Sequence, residues 1–269
     1  MDAVAVPTFL SPPPRFFAMA VESSREFARI SNIYDRGRSA ENVEFWAEEA
    51  ERLAGLREGS LVMDLGCGTG IYGLGIMERS SSVVFGFDPV PDMLGKARDK
   101  APDFPVLRAV AEKIPARSGV LDLIYASQVW HHIARRQEAA DECARVLRRG
   151  GCMIVRTISH DQLKGKTVFK YFPEILPNQL RVYPSDDEFR TYFRRAGFSS
   201  TEILPYNMER YQSAGELIVV AEKKLWSMFR PITQRGLERG VAGLRRWDEE
   251  HGGAPVRNDE TITLVVAKK

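Results

Sequence analysis

The sequence predicts an α/β fold built on a doubly wound, mostly parallel sheet with helices on both faces. Three observations support this prediction. From residue 61 onward, short apolar runs alternate with longer amphipathic segments, the order that crossover helices produce. A glycine-rich turn joins the first apolar run to the next helix. The length of 269 residues suits one such domain with insertions.

Each predicted element follows from periodicity and from its end signals. The first helix begins after Ser39, a good N-cap, and ends at Gly55. The prolines at 7 and 12–14 predict a loose arm before it. The core then alternates as strands 61–65, 83–87, 106–110, 121–126 and 152–158 with helices 70–79, 91–101 and 137–147.

Capping boxes mark the helices of the C-terminal part. The box at 185–188 opens a helix that ends at Gly197, and the box at 213–216 opens one that runs to about Phe229. A further helix covers 237–247, although Gly236, Gly240 and Gly243 weaken that prediction. Strands are expected near 199–204 and at 261–267.

We expect three segments within one structural domain. Residues 1–60 form the N-terminal arm and cap helices, 61–158 the cofactor-binding core, and 159–269 a helical lid with closing strands.

Composition excludes several classes of function. Lys and Arg number 38 against 36 Asp and Glu, so no strong field attracts nucleic acid. The three cysteines, Cys67, Cys143 and Cys152, lack the spacing of a zinc site or a disulfide framework, so no metal is expected and a reducing compartment fits. No signal peptide or membrane span is recognisable, which favours a cytoplasmic location. The oligomeric state is not predictable.

The turn after the first strand is the strongest candidate for a binding site. Gly66-x-Gly68-x-Gly70 lets the backbone approach a ligand closely. The spacing of Gly68, Gly70 and Gly73 also fits a dinucleotide fingerprint. Asp64, inside the strand, favours S-adenosylmethionine over a dinucleotide, because a nearby carboxylate would repel a diphosphate.

A second carboxylate, Asp88, ends the second strand. It follows Gly66 by 22 residues and can accept hydrogen bonds from both hydroxyls of a ribose. This feature is common to dinucleotides and S-adenosylmethionine. The alternative is a glycine turn and a helix-capping Asp without a ligand.

Five sequence motifs follow one another in order: VMDLGCGTG at 62–70, GFDPVPDML at 86–94, AEKIP at 111–115, LDLIYASQVWHHI at 121–133 and LRRGGCMIV at 147–155. With these motifs the sequence resembles the class I S-adenosylmethionine-dependent methyltransferases, in particular the small-molecule group that includes ubiquinone and menaquinone C-methyltransferases. The resemblance covers about residues 34–268 and implies a Rossmann-like sheet of about seven strands, an antiparallel last strand, and O-, N- or C-methylation of a small molecule.

The resemblance also implies a set of cofactor-binding residues. Gly66 and Cys67 would contact the cofactor through their backbone, Asp88 would bind the ribose, and Tyr34 would fold over the cofactor. Pro89 and Met93 would flank the adenine, Ala111 and Glu112 would border its edge, and Ala126, Ser127 and Gln128 would reach the amino group and the methyl donor.

Methyl transfer requires alignment of an acceptor with the donor, and a base where the acceptor holds a proton. His131 and His132 are candidate bases because imidazole titrates near neutral pH. His132 is preferred because relatives often carry His there. One of the two could instead be a packing or capping residue, and Tyr34 could orient the acceptor or be ordinary core.

The end of the fifth strand and the following segment hold further candidates. Arg156 would suit an acidic or carbonyl-bearing acceptor, or form a surface salt bridge. The aromatic side chains beyond it could line an acceptor pocket or simply be core; they are Phe169, Tyr171, Phe172, Tyr183, Trp226 and Phe229.

Two other functions remain open from the sequence. The chain could bind S-adenosylmethionine without transferring its methyl group, or it could be a nicotinamide-dependent oxidoreductase. A nucleic-acid methyltransferase is disfavoured, because Ala126-Ser127-Gln128-Val129 is not the Asn-Pro-Pro-Tyr type of motif.

Overall fold

A computed structural model describes residues 40–269, and the predicted role of Tyr34 therefore lies outside the described residues. The strands are β1 Leu61–Leu65, β2 Val83–Asp88, β3 Val106–Arg108, β4 Leu121–Ser127, β5 Leu147–Thr157, β6 Ser200–Met208, β7 Tyr211–Gln212, β8 Val256–Arg257 and β9 Glu260–Lys268. The α-helices are α1 Ala40–Ala54, α2 Ile71–Arg79, α3 Pro91–Lys100, α4 Arg136–Val146, α5 His160–Gly165, α6 Val168–Tyr171, α7 Leu176–Val182, α8 Asp186–Arg195, α9 Ala214–Glu222 and α10 Gln234–Glu250.

Seven strands form one mixed sheet in the order β3-β2-β1-β4-β5-β9-β6. The five strands from β3 to β5 pair in parallel. Strand β9 runs antiparallel to β5. The first residues of β5 pair with the end of β9, since the amide of Gly150 donates to the carbonyl of Lys269 at 2.9 Å. The predicted fold class is therefore confirmed. The strand order reverses between β1 and β4, the position where open α/β sheets bind ligands.

The two faces of the sheet differ in chemistry. One face is apolar: Met63, Ile124 and Val155 are fully buried in a cluster that also holds Trp130 and Phe193. Because side chains alternate along a strand, the neighbouring positions point to the opposite face. Those positions hold polar groups near the carboxyl ends of the strands, namely Asp64, Tyr125, Ser127 and Arg156.

The capping boxes form as predicted. The Ser185 amide donates to the Glu188 carboxylate at 2.8 Å, and the Glu188 amide donates to the Ser185 hydroxyl at 3.3 Å. Gly197 follows α8 with a φ of 91°.

The predicted extent of the helix after residue 213 was wrong. Helix α9 ends at Glu222 rather than near Phe229. Lys224 takes a φ of 49°, and the amide of Leu225 donates to the carbonyl of Val220 at 3.0 Å. This is the Schellman termination that usually requires glycine. A 3-10 turn over Ser227–Phe229 follows.

The chain divides into two compact units. The first holds residues 40–157 together with Phe189–Ile203 and Val265–Lys269, and the second holds Ile158–Glu188 and Leu204–Leu264.

The second unit has its own apolar core. Phe169, Phe172 and Phe229 are buried there, so these aromatics are core residues of that unit. Its short helices α5, α6 and α7 were not predicted. The Ser159–Gln162 capping box was a usable signal for α5, since both of its hydrogen bonds form. None of the helices within residues 40–269 is both long and apolar enough to cross a bilayer.

Candidate active site

The glycine turn between β1 and α2 is shaped by positive backbone angles. Gly66, Gly68 and Gly70 have φ values of 70°, 55° and 80°, which L side chains rarely adopt. A Cβ atom at Gly66 would also lie 2.3 Å from Val129 Cγ2, just after β4. The turn therefore lies directly against the end of β4, and only glycine fits there.

Asp64 is 2 % exposed and holds the start of α2. Its Oδ2 accepts the Gly73 amide at 3.0 Å, and a Cβ at Gly73 would lie 2.8 Å from that oxygen. Burial raises the pKa of Asp64 to about 7, while the bond from Gly73 lowers it and the charge of Asp88 raises it further. Asp64 is thus a buried carboxyl that changes charge near neutral pH.

Asp88 links the glycine turn to β2. Its two oxygens accept the amides of Gly68 at 2.9 Å and Val90 at 2.8 Å. Burial raises the pKa of Asp88 to about 6, and these two hydrogen bonds oppose that shift. A carboxylate has about four lone-pair sites, so two bonds from the protein leave room for two more donors.

The backbone of Gly66 and Cys67 is hydrogen-bonded to β2. Their amides donate to the carbonyl of Phe87 at 2.6 and 2.9 Å. The Cys67 side chain is buried against Gly86, where a Cβ would lie 2.6 Å from its sulfur. Burial raises the pKa of the Cys67 thiol well above its usual range, so this cysteine is not a reactive nucleophile.

The predicted adenine-side residues lie beyond β2 and β3. Met93 is buried in the first turn of α3, and Pro89 is half-buried. Ala111 is buried and Glu112 half-buried, within a turn closed by a hydrogen bond from the Lys113 amide to the Val110 carbonyl.

The end of β4 holds the next predicted group. Ala126 is fully buried, whereas Ser127 and Gln128 are half-buried. Gln128 has a φ of 52°, and its amide donates to the Arg156 carbonyl at 2.8 Å. A positive φ at a residue other than glycine is strained, and such residues concentrate at functional sites.

The two candidate bases lie in a 3-10 turn over Trp130–His132, directly after this strand end. Their ring centres are 4.0 Å apart. His131 is half-buried and His132 exposed. Burial lowers the pKa of His131 well below its usual range, and the nearby charges of His132 and Arg136 act in the same direction.

Arg156 is only 4 % exposed, so the alternative of a surface salt bridge was wrong, whereas contact with an acceptor stays a prediction. Its guanidinium carbon lies 4.6 Å from the ring centre of Trp46 and 4.9 Å from that of Tyr72. Sequence reasoning missed this stack because its members come from α1, α2 and β5.

Comparisons with known proteins agree with the fold and with the glycine turn. Residues 63–155 match the family described as "Methyltransferase domain". A ubiquinone/menaquinone biosynthesis C-methyltransferase, UbiE, from Campylobacter jejuni is 26 % identical over 218 residues, which cover 67 % of this chain and 89 % of that protein.

Two solved structures share the fold at low sequence identity. One, described as a methyltransferase of an antibiotic biosynthesis pathway of Anabaena variabilis, aligns with a TM-score of 0.66 at 19 % identity over 84 % of this chain and 97 % of that chain. The other is the Haemonchus contortus phosphoethanolamine N-methyltransferase 2 in complex with S-adenosyl-L-methionine, with a TM-score of 0.52 at 15 % identity over 90 % of this chain and 60 % of that chain.

The matched domain spans the glycine turn, both buried carboxyls and the end of β4, and the fold is shared with a solved methyltransferase structure at a TM-score of 0.66. The chain therefore carries a methyltransferase domain at residues 63–155 and resembles the ubiquinone/menaquinone C-methyltransferases, and the activity that these comparisons support is methyl transfer from S-adenosylmethionine to a small-molecule acceptor.

Proposed function

We propose that the methyl donor lies along the carboxyl ends of β2, β1 and β4, with its ribose on Asp88. The observation that carries this proposal is the position of Asp88, whose carboxylate already holds Gly68 and Val90 and keeps acceptor capacity. The amides of Gly66 and Cys67 both donate to the Phe87 carbonyl. These two residues would therefore offer their carbonyl oxygens, rather than their amides, to the donor's ammonium group.

The described residues fit such a donor. The strained turn at Gly66 and Gly68 leaves backbone exposed to a ligand without side chains in between. The adenine would lie between Pro89 and Met93, with Ala111 and Glu112 at its edge. S-adenosylmethionine supplies an electrophilic methyl group on a sulfonium, and the chain positions it and excludes water.

Among the candidate bases, we favour His132 for removing a proton from an acceptor. His131 has a lowered pKa and is a poor base at neutral pH. His132 is exposed in the 3-10 turn that follows β4. Deprotonation by His132 would be needed for a hydroxyl or an acidic carbon, whereas a neutral amine needs only desolvation.

Several finer assignments are also proposals. The three cysteines are free and buried, which supports a reducing, cytoplasmic location. The balanced charge supports an acceptor other than nucleic acid. The division at residues 60 and 158, and the lid formed by residues 159–269, stay predictions.

A double-mutant cycle tests the role of Asp88. The ligands are S-adenosylhomocysteine and its 2′-deoxy analogue, and calorimetry measures their dissociation constants with the wild type and with Asp88→Ala. We expect the wild type to prefer the intact ribose and Asp88→Ala to lose this preference. The loss for S-adenosylhomocysteine should be about 2 kcal/mol, the magnitude of charge-assisted hydrogen bonds.

The matched control is Asp92→Ala, an acidic residue in the first turn of α3 that should leave the preference intact. If Asp88→Ala weakened both ligands but kept the wild-type preference, Asp88 would serve only to hold the glycine turn, and the ribose assignment would be wrong.

A further inference from the structure

A buried cationic side chain, Arg156, lies at the carboxyl end of β5 and is not among the residues assigned to the donor above. The Arg156 guanidinium lies against both the Trp46 and the Tyr72 ring, at 4.6 and 4.9 Å from their centres. Stacking on aromatic faces fixes the plane of a guanidinium and leaves its N–H edge for hydrogen bonds. One edge nitrogen, Nη1, lies 3.4 Å from the Ser127 hydroxyl, so the guanidinium edge reaches the end of β4.

A buried hydroxyl lies on the same face of the sheet. Tyr125 is 1 % exposed, and within the described part of the chain its hydroxyl oxygen has no hydrogen-bond partner. Its ring centre is 6.2 Å from that of Tyr72, which also contacts Arg156. Burial raises the pKa of Tyr125 above its usual range, so the hydroxyl stays a donor. Buried donors normally have an acceptor, and here a ligand can provide one.

The start of α2 adds partial positive charge beside these groups, part of which the Asp64 carboxylate already offsets by accepting the Gly73 amide. Tyr72 is the second residue of this nine-residue helix. The first turn holds no acidic side chain, and the N-cap, Gly70, offers no side-chain hydrogen bond. The N-terminus of a helix carries partial positive charge and attracts anions.

With the ribose placed on Asp88 as proposed, the order of the strands indicates which part of the donor would reach these groups. Strand β2, which ends at Asp88, lies on one side of β1, and β4 and β5 lie on the other. A donor with its ribose at Asp88 and its sulfonium over the glycine turn extends its amino-acid end toward β4 and β5. That end carries one anionic group, a carboxylate.

We propose that Arg156, held between Trp46 and Tyr72, binds the α-carboxylate of S-adenosylmethionine together with the Tyr125 hydroxyl. The inference rests on the proposed placement of the ribose at Asp88. Arg156 and Tyr125 then select donors that keep the amino-acid end.

The test compares two nucleosides that differ in the amino-acid end. S-adenosylhomocysteine has the carboxylate, and 5′-methylthioadenosine lacks it. Calorimetry gives both dissociation constants for the wild type, Arg156→Met and Tyr125→Phe. Methionine keeps an apolar chain between the two rings. We expect Arg156→Met to weaken S-adenosylhomocysteine about tenfold or more and Tyr125→Phe several-fold, with 5′-methylthioadenosine nearly unchanged.

The matched control is Arg148→Met. Arg148 lies near the amino end of the same strand, where it pairs with Asp122 at 2.6 Å, and its loss should affect neither ligand. Equal weakening of both ligands by Arg156→Met, or an unchanged affinity for S-adenosylhomocysteine, would overturn the proposal. If Arg156→Met failed to fold, Tyr125→Phe, which removes one oxygen, would decide the question. The deciding quantity is the ratio of the dissociation constants for S-adenosylhomocysteine and 5′-methylthioadenosine. A wild type that binds neither nucleoside would instead contradict the donor site itself.

Discussion

His131 and His132 are adjacent in sequence, yet their surroundings make them chemically different. His131 lies half-buried beside Arg136 and its neighbouring imidazole, whereas His132 is exposed. Burial removes the water that would stabilise an imidazolium, and nearby positive charge disfavours it further. The lowered pKa therefore makes His131 a weaker base than an ordinary imidazole.

The His131 ring should accordingly resist protonation in solution. We expect its Cε1 proton resonance to stay constant as the pH falls from about 7.5 to 6, since the pKa lies well below the usual 6.5. Proton–carbon NMR of the free enzyme measures this, and the spectrum of His131→Gln assigns the signal. A midpoint at or above 6.5 would show that the ring is solvated.

At this scale, some site residues were predictable and others were not. Asp64 and Asp88 were recognisable because their position relative to a strand end and a glycine turn is a local pattern in the sequence. The buried state of Arg156 was not, because its two aromatic neighbours are Trp46 and Tyr72, distant along the chain. Isolated arginines usually lie at surfaces, and only the tertiary structure reveals the exception.

At the scale of elements, helix α10 shows how glycine can support a helix. Gly236, Gly240 and Gly243 weakened its prediction, yet it spans 17 residues. The three glycines recur at helical spacing, and side chains of Tyr171, Phe172 and Glu174 lie against them. The cost of glycine in the helix is offset by close packing, which a propensity scale does not include.

Substitution of Gly240 by alanine should therefore destabilise the protein. The new Cβ would lie 2.0 Å from Phe172 Cε1, and that ring is buried. We expect the free energy of unfolding to fall by about 1–3 kcal/mol, the usual cost of overpacking, measured by denaturant titration. Gly215→Ala in α9 is the control, because nothing lies within 4 Å of its Cβ, and it should stabilise by about 0.5 kcal/mol. Equal effects of the two substitutions would contradict this packing role.

The elements that were predicted correctly have strong local signals. The alternation of apolar runs predicted the parallel strands, and the Ser185 and Ser213 capping boxes predicted the starts of α8 and α9. The end of α9 was missed because Lys224 occupies a left-handed position that normally holds glycine. Helices α6 and α7 were missed because four and seven residues are too few for a period to be recognised.

At the scale of the whole molecule, the two buried carboxyls make the stability of the free protein depend on pH. Burial raises the pKa of Asp64 to about 7 and of Asp88 to about 6, from an ordinary value of 3.8. The folded state therefore binds protons that the unfolded state has already released. Their contribution to stability is complete below about pH 4 and is lost as the pH rises toward 7.

Asp64→Asn isolates this effect. Asparagine keeps an oxygen acceptor for the Gly73 amide but cannot ionise. In the absence of the donor, the free energy of unfolding of Asp64→Asn relative to the wild type should therefore rise by about 2 kcal/mol between pH 5 and 8. Urea titrations at several pH values measure it. Glu58→Gln, an exposed site, reports the effect of removing one negative charge. A difference for Asp64→Asn that stays constant with pH would contradict the raised pKa of Asp64 in the folded state.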